Sequence, residues 1–298
     1  MKVIILGVTG TIGFPIAQAF LRAGHIVYGQ TRSESTVRQL ATEEIIPIVC
    51  DPTDIDKWKH LLANVEAVVN ATTTFGPDTP AKLLNLLTAA AKSVRPAYAA
   101  NLIYVETSRV RVHGDNRDEI VTDTTPTETS HSYAAWRAVH ERNVVGSTVL
   151  DGIVIRSPWM IGRSVSLLGN MLFPSAHAGE VVGVGTPGGR YSIIHQEDLA
   201  DAYLRAVERG SIVGGSIFDI TNEYTESVEE VLAMLCKVSG AKGYKFREPT
   251  NAFEKAACTT TRIRPYLART LLDWSPRKPG FVDGMEIYYA AWKASQRL

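Results

Sequence analysis

Apolar residues in the first half of the chain follow two alternating periods. Val3-Ile-Ile-Leu6 is an unbroken branched run of strand length. Directly after it, Ile12, Ile16, Phe20 and Ala23 recur at helical spacing until Gly24 supplies a stop. A second strand begins at Ile26-Val-Tyr28, and further strand patterns lie at 45–49, 67–71, 102–105 and 153–155. Helix-period segments at 34–43, 54–63, 80–92 and 131–145 separate them. A strand that is apolar on every residue must be covered on both faces. Strands that alternate with helices therefore predict an α/β fold, a doubly wound parallel sheet with helices on both sides.

Beyond Arg156 the rhythm breaks. The stretch 158–190 is rich in Gly, Pro and Ser and is expected to be irregular and to contribute to a substrate cleft. A strand-like Tyr191-Ser-Ile-Ile194 follows, then a helix from Glu197 to Glu208 and a short strand at Phe218-Asp-Ile220. Helices are expected at 227–238 and from about 281 onward. No internal repeat, low-complexity segment or long linker is seen.

Charge and cysteine usage narrow the class. The chain has 298 residues, and its 31 basic and 31 acidic residues cancel. That balance weighs against a nucleic-acid partner, and an anionic ligand must be held by a few local groups. Cys50, Cys236 and Cys258 have no spacing that suggests zinc or a redox pair, so no metal is expected. They read as packing thiols in a reducing compartment. No segment resembles a signal peptide or an apolar stretch of about 20 residues, so the expected location is the cytoplasm, with no membrane association.

Gly7-Val-Thr-Gly10-Thr-Ile-Gly13 lies immediately after the first strand and opens the first helix. Each glycine has a physical task. Gly7 permits the tight turn, Gly10 lets backbone approach a diphosphate, and Gly13 lets the helix press on the strand. The loop residues Thr9, Thr11 and Ile12 complete a site whose amides and positive helix end stabilise phosphate. A dinucleotide is the expected ligand. The expected organisation is a Rossmann dinucleotide-binding domain at 1–157 and a mainly substrate-binding region at 158–298, of which 191–222 returns to the first domain's core.

The second strand runs into Gln30-Thr-Arg32-Ser33, where an NAD site would usually place an acid for the ribose hydroxyl. Arg32 is instead suited to fork onto a 2′-phosphate, which favours NADP(H) over NAD, although a solvated loop arginine is also consistent. Asp51, after the third strand, either accepts from the adenine amino group or shapes a turn before Pro52. Ala71-Thr72-Thr73 offers small residues where the cofactor would run past the fourth strand.

Tyr133 and Arg137 are four apart on a predicted helix and share a face. With the motifs around them they make the chain resemble an extended short-chain dehydrogenase/reductase, the group of sugar-nucleotide epimerases, dehydratases and NADP-dependent carbonyl reductases. The likeness covers nearly the whole chain. It includes the glycine loop, Asp51, Thr107-Ser108, Val112-His113-Gly114 and Tyr133…Arg137…Glu141. It continues through Arg156-Ser-Pro158…Gly162, Ile194-His195-Gln-Glu-Asp198 and Leu272-Asp-Trp274-Ser-Pro276.

The resemblance implies that Tyr133 is the general acid/base and that Thr107 or Ser108 is its hydroxyl partner. It also places Tyr133, Arg137 and Pro158 against the cofactor, and it implies a homodimer. His195 and Asp198 are expected to be structural. Three positions depart from the family's pattern. Arg137 replaces a lysine and His113 replaces a tyrosine. The spacing from Ser108 to Gly114 is one residue longer than usual, which puts Arg109 where the hydroxyl is often found.

A cation roughly 4 Å from a phenolate contributes at most about 4 kcal/mol at an effective dielectric near 20, so Arg137 can still activate Tyr133. It cannot release a proton readily, which removes a relay. His113 is open to either a structural or a proton-donating reading. The expected function is an NADP-dependent oxidoreductase on a small carbonyl or hydroxyl compound. The alternatives are a nucleotide-sugar epimerase/dehydratase and a weakly catalytic NADP(H) sensor or scaffold. Arg163 and Arg190 would suit a diphosphate substrate, yet 158–190 is otherwise mostly apolar and uncharged, which favours a small uncharged one.

Overall fold

The computed structural model describes residues 1–72, 76–127, 135–163 and 166–297. Its strands in chain order begin with β1 (Lys2–Leu6), β2 (Ile26–Thr31), β3 (Ile46–Val49), β4 (Ala67–Asn70), β5 (Leu102–Arg109), β6 (Asn116–Val121) and β7 (Leu150–Ser157). The helices begin with α1 (Gly13–Arg22), α2 (Val37–Thr42), α3 (Asp78–Val94), α4 (Ala135–Val145), α5 (Leu167–His177) and α6 (Gln196–Glu208). Seven strands form the central sheet, in the order Ile217–Asp219, β7, β5, β4, β1, β2, β3. Every neighbouring pair is parallel. The direction of succession reverses between β1 and β4, which opens a crevice at the carboxyl ends of those strands.

The apolar run of β1 is explained by two cores. Val3 and Ile5 join Ile16 and Phe20 of α1 and Tyr203 of α6 on one face. Ile4 and Leu6 join Trp58, Leu83, Leu87 and Tyr104 on the other. Successive strand residues point to opposite faces, so a strand sandwiched between helix layers is apolar throughout. A third core gathers Trp159, Leu172, Phe173, Leu232, Phe281 and Trp292 in the C-terminal part. Among the described residues no helix is long and apolar enough to cross a membrane.

Two segments differ from the periodicity. The helical pattern at 54–63 forms two 3-10 turns, Ile55–Lys57 and Lys59–Ala63, interrupted at Trp58. Trp58 is fully buried, and seating its indole under the sheet prevails over one continuous helix. The stretch 158–190 is more regular than its composition implies. It contains strands Trp159–Ile161 and Val181–Val184 and the helix α5, which Ser166 caps by accepting from the Gly169 amide at 2.9 Å. Leu168, Leu172 and Phe173 give α5 its buried side, so hydrophobic burial organises a glycine-rich stretch.

Candidate active site

The turn from β1 into α1 is shaped by contacts that only glycine allows. Gly7 has φ +73°, and a side chain there would press on Thr72 at 3.1 Å. At Gly13 a Cβ would sit 2.2 Å from the Gly7 carbonyl oxygen, so helix and loop meet backbone to backbone. The Gly10 amide donates to the Gly7 carbonyl at 3.0 Å, which closes the turn. The first turn of α1 carries no acid and its N-cap has no side-chain bond, so its positive end is left for a ligand. Ile12 turns its side chain into the core, and only its backbone can face a ligand.

Above this loop opens a cavity of about 570 Å³. Gly7, Thr9, Gly10, Ala71 and Thr72 line it on one side, and Thr31, Arg32 and Asp51 on the other. Thr11 lies on the opposite flank of the loop, in a smaller cavity of about 180 Å³ with Gln39 and Arg163. Thr73 and Tyr133 lie outside the described residues. Pro158 is buried where β7 passes into the next strand and does not line the large cavity.

At the end of β2 the sequence left one feature unread. Gln30 is buried, accepts from the Gly7 amide at 2.9 Å and donates to the Cys50 carbonyl at 2.5 Å. It pins the glycine loop to β3. Arg32 follows on the exposed rim, with the Ser33 and Ser35 hydroxyls bonded to each other at 2.7 Å nearby. Asp51 forms a turn, with Oδ1 accepting from the Thr53 amide at 2.9 Å and its hydroxyl at 2.7 Å. These bonds, the amide's first, hold the Asp51 carboxyl below its usual range. Oδ2 takes no part in those bonds, so turn formation and ligand contact are compatible. The cavity fits a nicotinamide dinucleotide: it has a cradle that a Cβ at Gly13 would disrupt, an uncapped helix end that suits a diphosphate, and a cation, Arg32, on its rim.

Deeper under the crevice lies a polar network. Ser108 donates to Glu141 Oε1 at 2.5 Å, and Arg156 reaches Glu141 Oε2 through Nε at 3.1 Å and Nη2 at 2.7 Å. Asp219 Oδ2 pairs with His113 Nε2 at 2.8 Å, and Arg156 Nη1 lies 3.6 Å from Asp219 Oδ1. All five residues have buried side chains. His113 therefore belongs to this network. Thr107 donates to the Asn70 carbonyl at 2.6 Å and meets the Tyr203 hydroxyl at 2.7 Å. Removing one partner from a buried pair such as Arg156–Glu141 typically costs about 3–5 kcal/mol, because it strands a charge.

A model of the NAD dependent epimerase/dehydratase family matches residues 3–220. The chain belongs to that family. Solved structures share its fold. The dTDP-glucose 4,6-dehydratase of Bacillus anthracis, in complex with NAD, superposes with a TM-score of 0.81 at 16% identity, covering 100% of this chain and 98% of that one. The UDP-glucose-4-epimerase of Stenotrophomonas maltophila, with bound NAD and formylated UDP-arabinopyranose, gives 0.80 at 18% identity, with 100% and 99% covered. A functionally unknown conserved protein from Silicibacter pomeroyi gives 0.75 at 18% identity, with 99% and 98% covered. No protein of curated function matches the sequence.

Within this epimerase/dehydratase-family frame, Arg137 stands in the first turn of α4, its guanidinium carbon 4.3 Å from the centre of the Trp136 ring. Arg109 ends β5 and donates to Ser157 Oγ at 2.6 Å. Burial, then the charges of Arg111 and Arg137, bring the Arg109 pKa down to about 10. Arg109 thus lies within the electrostatic reach of two further arginines.

The two arginines suggested for a diphosphate substrate lie elsewhere. Arg163 flanks the glycine loop and pairs with Glu197 at 2.8 Å. Arg190 donates from Nε to the Thr225 hydroxyl at 2.8 Å and from Nη2 to the Thr225 carbonyl. His195 caps α6 by accepting from the Glu197 amide at 3.2 Å, and Asp198 Oδ2 accepts from the Arg277 and Lys278 amides at 3.1 and 2.9 Å. Both side chains hold backbone, at the start of α6 and at residues 277–278.

Proposed function

We propose that this family member is an NADP(H)-dependent oxidoreductase acting on a small carbonyl or hydroxyl compound. The observation that carries the reading is the cavity over the glycine loop, with Arg32 on its rim and Gln30, not an acid, at the end of β2. Gly10, Thr9, Thr11, Ile12 and Gly13 would hold the diphosphate through backbone, and Arg32 the 2′-phosphate. Asp51 would accept from the adenine amino group, and Ala71, Thr72 and Thr73 would border the cofactor's course. When bound, the nicotinamide supplies or takes up a hydride.

The chain's own part is to place and move a proton. Tyr133 gives a proton to the substrate oxygen or takes one from it, and Arg137 stabilises the phenolate by its fixed charge. Ser108 and Thr107, expected as hydroxyl partners of the tyrosine, commit their protons to Glu141 and to the Asn70 carbonyl, which suits them to fix the end of β5. In the division we propose, residues 1–157 with 191–222 carry the cofactor, and the remainder of 158–298 shapes the substrate side.

Calorimetric titration with NADPH and NADH tests the reading. One exposed arginine on a phosphate is worth about 1–2 kcal/mol, roughly a tenfold preference for NADPH. Arg32→Ala should abolish that preference while leaving NADH affinity unchanged. Equal affinity of the natural protein for both cofactors refutes the NADP assignment.

A second reading, nucleotide-sugar epimerisation or dehydration, is favoured by a fold neighbour that carries a UDP sugar. Turnover of UDP- or dTDP-sugars without net NADPH oxidation would establish it. A protein that binds NADP and NADPH with different affinities yet turns over neither class is a sensor or scaffold. Sedimentation decides whether the homodimer implied by the family likeness forms.

A further inference from the structure

The treatment of two arginines in neighbouring strands differs sharply. Arg156 of β7 is buried, and the fold supplies it with Glu141 and Asp219. Arg109 of β5, whose strand partner is Ser157, receives one neutral hydroxyl and, among the described residues, forms no ion pair. It is part-buried, and the charges of Arg111 and Arg137 act on it with like sign. Arg111 itself, in the turn that follows β5, sits with its guanidinium carbon 4.8 Å from the centre of the Trp159 ring.

Removing a guanidinium from water without a carboxylate is costly, and proteins ordinarily pair such charges. Where they do not, the site is commonly functional. Arg109 has five N–H donors, of which one is used by Ser157. What remains is a planar fork at the carboxyl edge of the sheet, where ligands of open α/β sheets bind. Such a fork matches a carboxylate or phosphate and nothing neutral equally well.

We propose that Arg109 is the anchor for an anionic group, carboxylate or phosphate, on the substrate of this enzyme. The inference rests on the oxidoreductase reading and sharpens its substrate class. The apolar composition of 158–190 favours an uncharged substrate, but the decisive charge lies at the end of β5, outside that stretch. Arg111 and Arg137, each with interactions of its own, add to the positive field that draws the anion in.

The test uses the full chain saturated with NADP+ and titrated calorimetrically with succinate, with inorganic phosphate and with neutral succinamide. One of the anions should bind at least tenfold more tightly than succinamide. Heat from succinate marks a carboxylate substrate, and heat from phosphate a phosphorylated one. Arg109→Gln should remove the preference while leaving NADP+ affinity within twofold, and Arg109→Lys should keep part of it.

The proposal is overturned if neither anion exceeds succinamide, if Arg109→Gln leaves anion affinity intact, or if that variant weakens NADP+ instead. Should Arg109→Gln fail to fold, the comparison of anion with amide on the natural protein decides. Absence of NADP+ binding would sink the oxidoreductase reading. Titrations of the free protein and of Arg109→Gln would still judge the anchor.

Discussion

Gly13→Ala is the substitution whose consequence can be worked most directly. The new Cβ would stand 2.2 Å from the Gly7 carbonyl oxygen and 2.9 Å from both the Gly7 carbonyl carbon and Val8 Cα. All three are backbone atoms, so no side chain can swing away. Restoring van der Waals contact requires α1 and the loop to separate by about 1 Å, and overpacking of this kind costs about 1–3 kcal/mol.

The movement cannot stay local. The Gly7 carbonyl also accepts the Gly10 amide, and the Gly7 amide is held by Gln30. Amides displaced by that much lose charge-assisted bonds worth about 1.5–3 kcal/mol each, and losing two weakens dinucleotide binding on the order of a hundredfold or more. Gly24→Ala serves as the control. Open space surrounds Gly24, yet its φ of +82° makes a side chain cost about 1–2 kcal/mol. Thermal unfolding should report both variants as destabilised, whereas NADPH calorimetry should report only Gly13→Ala as defective. A folded Gly13→Ala protein that binds NADPH within twofold of the natural one would refute the reasoning.

Other outcomes follow from the same geometry. Tyr133→Phe should abolish turnover and spare NADPH binding, and full turnover by that variant would remove the tyrosine from its role. Arg137→Lys should raise kcat, on the order of ten- to a hundredfold, because lysine restores a proton relay that arginine lacks; an unchanged or lower rate sinks that view. Glu197 has its pKa depressed from 4.5 to about 2 by its hydrogen bonds with Lys278 and then Arg163. A depressed carboxyl contributes stability that is present above its unfolded pKa and lost as pH falls from about 4.5 toward 2. Its side chain is 30% exposed, so screening reduces the contribution to about 1 kcal/mol. Glu197→Gln should therefore lower the unfolding midpoint at pH 7 and leave it nearly unchanged at pH 2; an equal loss at both would show that the ion pairs are not the cause.

The strand–loop–helix around Gly7 and Gly13 was legible because its causes are local. Glycine spacing, a branched apolar run and a helix period all act within about 25 residues of chain, and burial on both faces leaves its mark on every residue of β1. The parallel order of strands follows from the same pattern, since each strand is separated from the next by a helix-length connection. Weak periodicity was less informative where one large side chain dominated, as at Trp58, or where burial outweighed composition, as in α5.

The chemistry beyond the glycine loop was decided by contacts between residues far apart in sequence. Gln30 meets Gly7 and Cys50, Ser108 meets Glu141, and His113 meets Asp219, across separations of 20 to 106 residues. Arg109 and Arg156 look alike in the sequence, and Arg163 looks suited to a diphosphate substrate. Only the packing of α4 and of strand Ile217–Asp219 against β7 gives one arginine its carboxylates, the pairing of β5 with β7 leaves the other with a serine, and only the approach of α6 to α1 brings Arg163 to the loop. Which segments become strands, turns and helices follows from residues close together along the chain, because backbone sterics and hydrophobic period are properties of neighbouring residues. Tertiary structure decided which charges are paired, because Coulomb and hydrogen-bond partners depend on distance in space.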